Sequence, residues 1–103
     1  MTIQINTDKN IQGDNRLESY ITERIESKLK RFSNDITRIE VHLSDQNGDK
    51  FGKDDTHCRI ESRLEGLKPL TVLEKSIDVN SSVNGAIDKM KSVLDSHFDK
   101  LKS

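Results

Sequence analysis

The chain has no tryptophan, one cysteine, one proline and four aromatic residues among 103. A lone Cys58 excludes an intramolecular disulfide and fits a reducing compartment. No apolar run exceeds a few residues, so neither a membrane span nor a secretory leader is expected, and the domain is expected to be soluble and cytoplasmic. Charge of one sign is lacking too. With 17 Lys and Arg against 18 Asp and Glu, the net charge of −1 gives no global attraction to nucleic acid, and any such role must rest on local clusters. A Gly-rich phosphate cradle, a nucleophile elbow and a compact Ser/His/Asp grouping are also missing. Enzymatic activity is therefore not expected, and no cofactor or small-molecule substrate is implied.

The apolar residues that are present are few but well ordered. At 31% hydrophobic and 34% charged, they suit one thin two-layer domain over residues 1–103 rather than a disordered chain. Thr2 to Asn6 alternates with Ile3 and Ile5 on one face, and Gly13-Asp14 then marks a turn. A helix is predicted from Asn15, with Glu18 three residues later as a capping-box partner and Leu17, Tyr20, Ile21, Ile25 and Phe32 on its inner face. On a helical wheel Lys28 falls nearer the centre of this stripe than Leu29. Either Lys28 snorkels from a broad face or one extra residue distorts the last turn.

Ser33-Asn34-Asp35 ends that helix, and Ile39, Val41 and Leu43 then alternate with Arg38, Glu40 and His42 as a half-buried strand. Asp45 to Asp55 holds two Gly and four Asp, which predicts an exposed, mobile hairpin end. In the next strand Thr56, Cys58, Ile60, Ser62 and Leu64 share one face, and His57, Arg59, Glu61 and Arg63 the other. Gly66 closes it. Pro69 cannot donate to a ladder and marks the start of a fourth strand, roughly Leu70 to Ile77. Finally Val79, Val83, Ala86, Ile87, Met90, Leu94, Phe98 and Leu101 step by three and four, a closing helix capped by Asp78.

The predicted order is βαβββα, an α/β two-layer fold of the α+β kind. A right-handed crossover makes the first two strands parallel and short turns make the remaining pairs antiparallel, giving a four-stranded mixed sheet with both helices on one face. Cys58 shares a parity with Ile60 and Leu64, which places its thiol in the core. His42 and His57 fall on the opposite face, where with Glu40 or Glu61 they offer metal-ligand atom types but no tight ligand spacing, so solvated sheet residues are expected. His97 sits at the edge of the apolar stripe, either partly buried or within reach of a phosphate. Charge placement remains. From Arg24 to Arg31 the chain carries Arg24, Lys28, Lys30 and Arg31 against Glu26 alone. In the last helix Lys89 and Lys100 project on one flank, and Asp88, Asp95 and Asp99 on another.

The string Val83-Asn84-Gly85-Ala86-Ile87-Asp88-Lys89-Met90, followed by His97, Asp99, Lys100 and Leu101, resembles the A-I-D-x-x-I-D-K-L … H-K-D-K-L ending of the hibernation-promoting factor and ribosome-associated inhibitor family, also known as sigma-54 modulation proteins. The beginning agrees, with Ile3 and Ile5, Leu17-x-x-Tyr20-Ile21, and Phe32 ahead of Asp35-Ile36. The resemblance spans nearly the whole chain, and the length is similar to the short form, without the further C-terminal dimerisation domain.

What the resemblance implies is binding without chemistry: a stress-response factor that enters the small ribosomal subunit where mRNA and tRNAs lie, inhibits translation, and is a monomer off the ribosome. Lys and Arg along both helices of such proteins contact ribosomal RNA phosphates, and each neutralised phosphate releases counterions. By position, the implied RNA-binding residues are Arg24, Lys28 and Arg31 on the first helix, with Lys89 and Lys100 on the last. The chain departs from the family where Ser92, Ser96 and Phe98 stand at positions that tend to be basic, and Asp78 to Ser103 balances four Lys against four Asp. The rival reading is therefore a diverged protein-interaction module with weak or no ribosome binding, using Asp88, Asp95 and Asp99 to meet a basic partner. A small enzyme or metal protein centred on His42, His57 and Cys58 is a third class, for which no activating pair is visible.

Overall fold

Alternation and helical spacing translate directly into the elements of the computed structural model, which describes residues 1–46 and 55–102. Strand β1 (Thr2–Thr7) is followed by helix α1 (Asn15–Lys28), β2 (Ile36–Asp45), β3 (Thr56–Leu64), β4 (Leu70–Ser76) and helix α2 (Val79–Lys102). The strands lie in the order β1-β2-β3-β4, with β1 and β2 parallel and the other two pairs antiparallel. The expected βαβββα architecture is the one observed. Residues 47–54, most of the expected hairpin end, lie outside the described residues. Beside them β2 runs on to Asp45, and the Gln46 amide donates to the Asp55 carbonyl.

One sheet face is apolar and both helices cover it. Ile39, Val41 and Leu43 from β2, and Cys58, Ile60 and Leu64 from β3, are buried under Ile21, Ile25 and Leu29 and under Val83, Ala86, Ile87, Met90 and Leu94. Helix α2 lies over β3 and β4, and the crossover sets α1 beside it. At about 1.5–3 kcal/mol for each large apolar side chain removed from water, this single layer of contacts is the main source of stability. Phe32 and Phe98 stack at 5.5 Å between ring centroids, joining the ends of the two helical segments.

The start and end of α1 differ in detail from the sequence pattern. Asp14, and not Asn15, is the N-cap; its carboxylate accepts the Leu17 amide at 2.9 Å. Asp is as good a cap as Asn, and here its backbone is extended, as a cap requires, one residue before the helix starts. At the other end α1 stops at Lys28, and Lys30–Phe32 form a 3₁₀ turn. The tighter turn brings both Leu29 and Phe32 inward and leaves Lys28 exposed, so no snorkelling is needed. Asp78 caps α2 as expected, accepting the Ser81 amide at 2.7 Å.

Two local devices hold the layers in register. Asp8, after β1, accepts the amides of Asn10 and Ile11 on one oxygen and that of Asp45 on the other, tying the crossover to the end of β2. Gly85 in α2 faces β4. A Cβ there would sit 2.1 Å from Oε2 and 2.7 Å from Cγ of Glu74, so any larger residue displaces the Glu74 side chain that lies between strand and helix. Glu74 in turn pairs with Lys89 at 2.8 Å, and the same ammonium donates to the Leu73 carbonyl at 2.9 Å on β4.

Candidate nucleic-acid interface

Arg24, Lys28 and Arg31 follow one another at intervals of four and three, which keeps them near one edge of the first helical segment. That edge faces α2. The two helices run in the same direction, because Tyr20 meets Asn80, Arg24 meets Asn84, and Arg31 meets Asp95. Arg24 donates through Nε to Asn84 Oδ1 at 2.9 Å, and Asn84 Nδ2 donates to the Tyr20 hydroxyl at 2.9 Å and to the Asn80 carbonyl at 2.8 Å. The Tyr20 hydroxyl donates onward to Asn80 Oδ1. Only Nε of Arg24 is used. Its two terminal nitrogens have no partner among the described residues, so the fork that suits a phosphate is oriented and available.

Tyr20 was expected on the inner face, yet it is 37% exposed and forms part of this seam. A phenol at the border of a helix stripe gains more from an apolar ring beside the core and a hydrogen-bonded hydroxyl than from full burial. Asn80 and Asn84 were not among the expected site residues. Their spacing of four on the flank of α2 was the available signal, but nothing in one sequence says which helix edge they meet.

The cations differ in how free they are. Lys28 is exposed with no partner among the described residues. Arg31 lies over the Phe32 ring at 5.2 Å and binds Asp95 at 2.7 Å, with Asp99 at 3.9 Å; Asp95 also receives Lys91 at 3.5 Å. Its charge is thus already met by carboxylate. Lys89 stands away from this seam, against β4, held by Glu74 and the Leu73 carbonyl. Lys100 is exposed on the last turns of α2 and is also engaged. The fold therefore brings Arg24, Lys28 and Arg31 together and leaves Lys89 on a different flank. The acidic stripe is divided as well: Asp88 is exposed, while Asp95 and Asp99 face Arg31.

His42, His57 and Cys58, the residues of the third class of chemistry, are not brought together. Cys58 points into the core, and burial, with a smaller contribution from the nearby Glu74 carboxylate, pushes its thiol up to about 12. His57 and His42 are on the outer sheet face, opposite Lys75 and Arg59 respectively, so no imidazole reaches the sulfur. Among the described residues no group of three His, Cys, Asp or Glu side chains is placed to hold a metal. His97 is half-buried and edge-on to Phe98 at 5.1 Å, with Nε2 enclosed and unbonded among the described residues.

A model of the family described as sigma 54 modulation protein / S30EA ribosomal protein matches residues 3–102. The chain belongs to that family. Among solved structures, the N-terminal domain of Thermus thermophilus Protein Y is similar in fold, with a TM-score of 0.71 and 20% identity over 89% of this chain and 93% of that one. A ribosomal subunit interface protein from Coxiella burnetii is similar to the same degree, with a TM-score of 0.71 and 19% identity over 96% of this chain and 99% of its own. No curated protein sequence matches. At these identities the neighbours establish the fold, and the family match establishes the kinship. No described helix of this S30EA-family domain is long and apolar enough to cross a membrane.

Proposed function

We propose that this S30EA-family protein is a ribosome-associated translation inhibitor of the hibernation type, binding ribosomal RNA of the small subunit in the channel of mRNA and tRNA. The observation that carries the reading is the family match across residues 3–102, nearly the whole chain. The local electrostatics support it. Arg24 and Lys28 offer donors on the exposed edge of α1, while Arg31 becomes a contact once a phosphate displaces the Asp95 carboxylate. Lys89 and Lys100 are further contacts of the same proposal, the first at the cost of its bond to the β4 edge. The protein acts without catalysis, in the cytoplasm, and as a monomer until it meets the subunit.

The rival reading as a protein-interaction module through the acidic stripe is weakened by the same geometry, since Asp95, the middle of the stripe, is bound by Arg31 and Lys91. Sucrose-gradient co-sedimentation with purified small subunits at low and at raised salt tests the proposal. The expected result is co-sedimentation at low salt, lost on reversal of Arg24 and Arg31 to Glu, together with inhibition of translation in a reconstituted system. Absence of the wild type from the subunit fractions at low salt overturns it.

A further inference from the structure

The face of the sheet turned away from the helices is divided by charge. Toward one end, Arg38 binds Glu40 at 3.2 Å, and Arg63 binds Glu61 at 2.8 Å and Glu40 at 3.7 Å. The Glu61 hydrogen bond, then the charges of Glu61 and Glu40, raise the pKa of the exposed Arg63 further. That end is self-compensated.

The other end is not. There the register sets His42 opposite Arg59 and Arg59 opposite Leu73, with His57 opposite Lys75 in the next outward row. Arg59 and Lys75 are exposed and have no partner among the described residues, and Leu73 is 43% exposed beside them. On this face the carboxylates along the strands are Glu40 and Glu61, taken up by Arg38 and Arg63, and Asp55, one same-face step beyond His57 and itself engaged. What results is a flat patch with two free cations, two flanking imidazole rings and one apolar side chain. Neighbouring strands lie about 4.8 Å apart and same-face residues on one strand about 6.7 Å, so these groups span several phosphates of an RNA strand. Imidazole and apolar side chains beside a cation also suit unstacked bases.

We propose that this patch, centred on Arg59 and Lys75, is a second RNA-binding surface, on the side of the domain opposite the α1 edge. The ligand class is the phosphate backbone of ribosomal RNA, and the assignment deepens the reading above, on which it rests. A domain with cations on both of its layers is held by RNA from two sides. Loss of the sheet side then weakens retention without abolishing it.

The test measures co-sedimentation with purified small subunits over a salt series for the wild type, R59E/K75E, the milder R59Q/K75Q and R24E/K28E, with amide NMR spectra confirming that each folds. R59E/K75E is expected to raise the Kd about tenfold and to flatten the salt slope by about 1.5, as two phosphate contacts imply, with R59Q/K75Q intermediate. If R59E/K75E binds as the wild type does while R24E/K28E is impaired, the sheet assignment is overturned and the proposed function stands. Should the wild type fail to bind subunits, the function proposed above falls, and titration of labelled protein with polyuridine decides the sheet separately. Shifts centred on the amides of Arg59, Leu73 and Lys75 support an RNA surface. Their absence, or equal shifts with polyglutamate, overturns it, the latter in favour of an acidic protein partner.

Discussion

Arg31 of the 3₁₀ turn donates to Asp95 of α2 at 2.7 Å, so a cation of the expected RNA edge is neutralised by the same chain. Phosphate and Asp95 therefore compete for one guanidinium. Exposed pairs of this kind contribute at most about 1 kcal/mol, so their removal changes affinity more than stability. D95N/D99N is expected to bind small subunits at least about threefold more tightly with a steeper salt slope, while its urea midpoint stays within about 1 kcal/mol of wild type. Weaker binding by this variant would show that the pair positions Arg31 instead of masking it.

Asn84→Asp places a carboxylate on Arg24 in the position of the neutral Oδ1 that now accepts from Nε. The predicted outcome is several-fold weaker co-sedimentation, because the charge of the fork is cancelled, with amide shifts confined to the seam where the Nδ2 donations to Tyr20 and Asn80 are lost. Unaltered affinity would remove Arg24 from the binding edge.

Gly85→Ala gains about 1 kcal/mol of helix propensity but forces Cβ into Glu74, and overpacking of this kind costs about 1–3 kcal/mol. Net destabilisation by about 1 kcal/mol is expected in chemical denaturation. In a Glu74→Ala background the same substitution should become stabilising, because the obstacle is gone. A cycle in which the two changes simply add would refute the close approach.

Cys58 yields a pH dependence of defined sign. The unfolded chain releases the thiol proton near pH 9.0, whereas the folded one holds it to about 12. Stability from this group is thus complete below pH 9 and declines as the pH rises toward 12, since only the unfolded state ionises in that window. Denaturation curves should show a steeper fall above pH 9 for wild type than for Cys58→Ala, and a thiol reagent should label the native protein far more slowly than the denatured one. Rapid native labelling would place the sulfur at the surface.

Asp8→Ala should cost about 2–3 kcal/mol, because three backbone amides lose an ionised acceptor at once. Asp8→Asn retains one acceptor oxygen and should cost about half as much. Equal losses for the two would mean that charge, and not the bonds, matters.

The sheet was readable because strand parity is a one-dimensional property: Ile39, Val41 and Leu43 alternate with Arg38, Glu40 and His42, and one face had to be buried. The same parity placed Cys58 inward. The helix ends were read less sharply, since Asp14 and Asn15 are both good caps and only the backbone of Asp14, extended at the cap, decides between them. The candidate interface was legible as a list of cations and not as a surface. Which of them are free depends on contacts between residues about sixty positions apart, such as Arg24 with Asn84 and Arg31 with Asp95, and no periodicity within one helix encodes the alignment of two. Tyr20 was misplaced for the same reason: its partner lies on the other helix.

Lys89 closes an exposed strand. β4 has β3 on one side and, among the described residues, no strand on the other, and the ammonium that binds the Leu73 carbonyl occupies a position where an incoming strand would begin to pair. Shortening this lysine thus does more than delete a positive charge. It uncovers an adhesive edge beside the exposed Leu73, so self-association and loss of soluble protein at high concentration would be read, in a binding assay alone, as loss of RNA affinity.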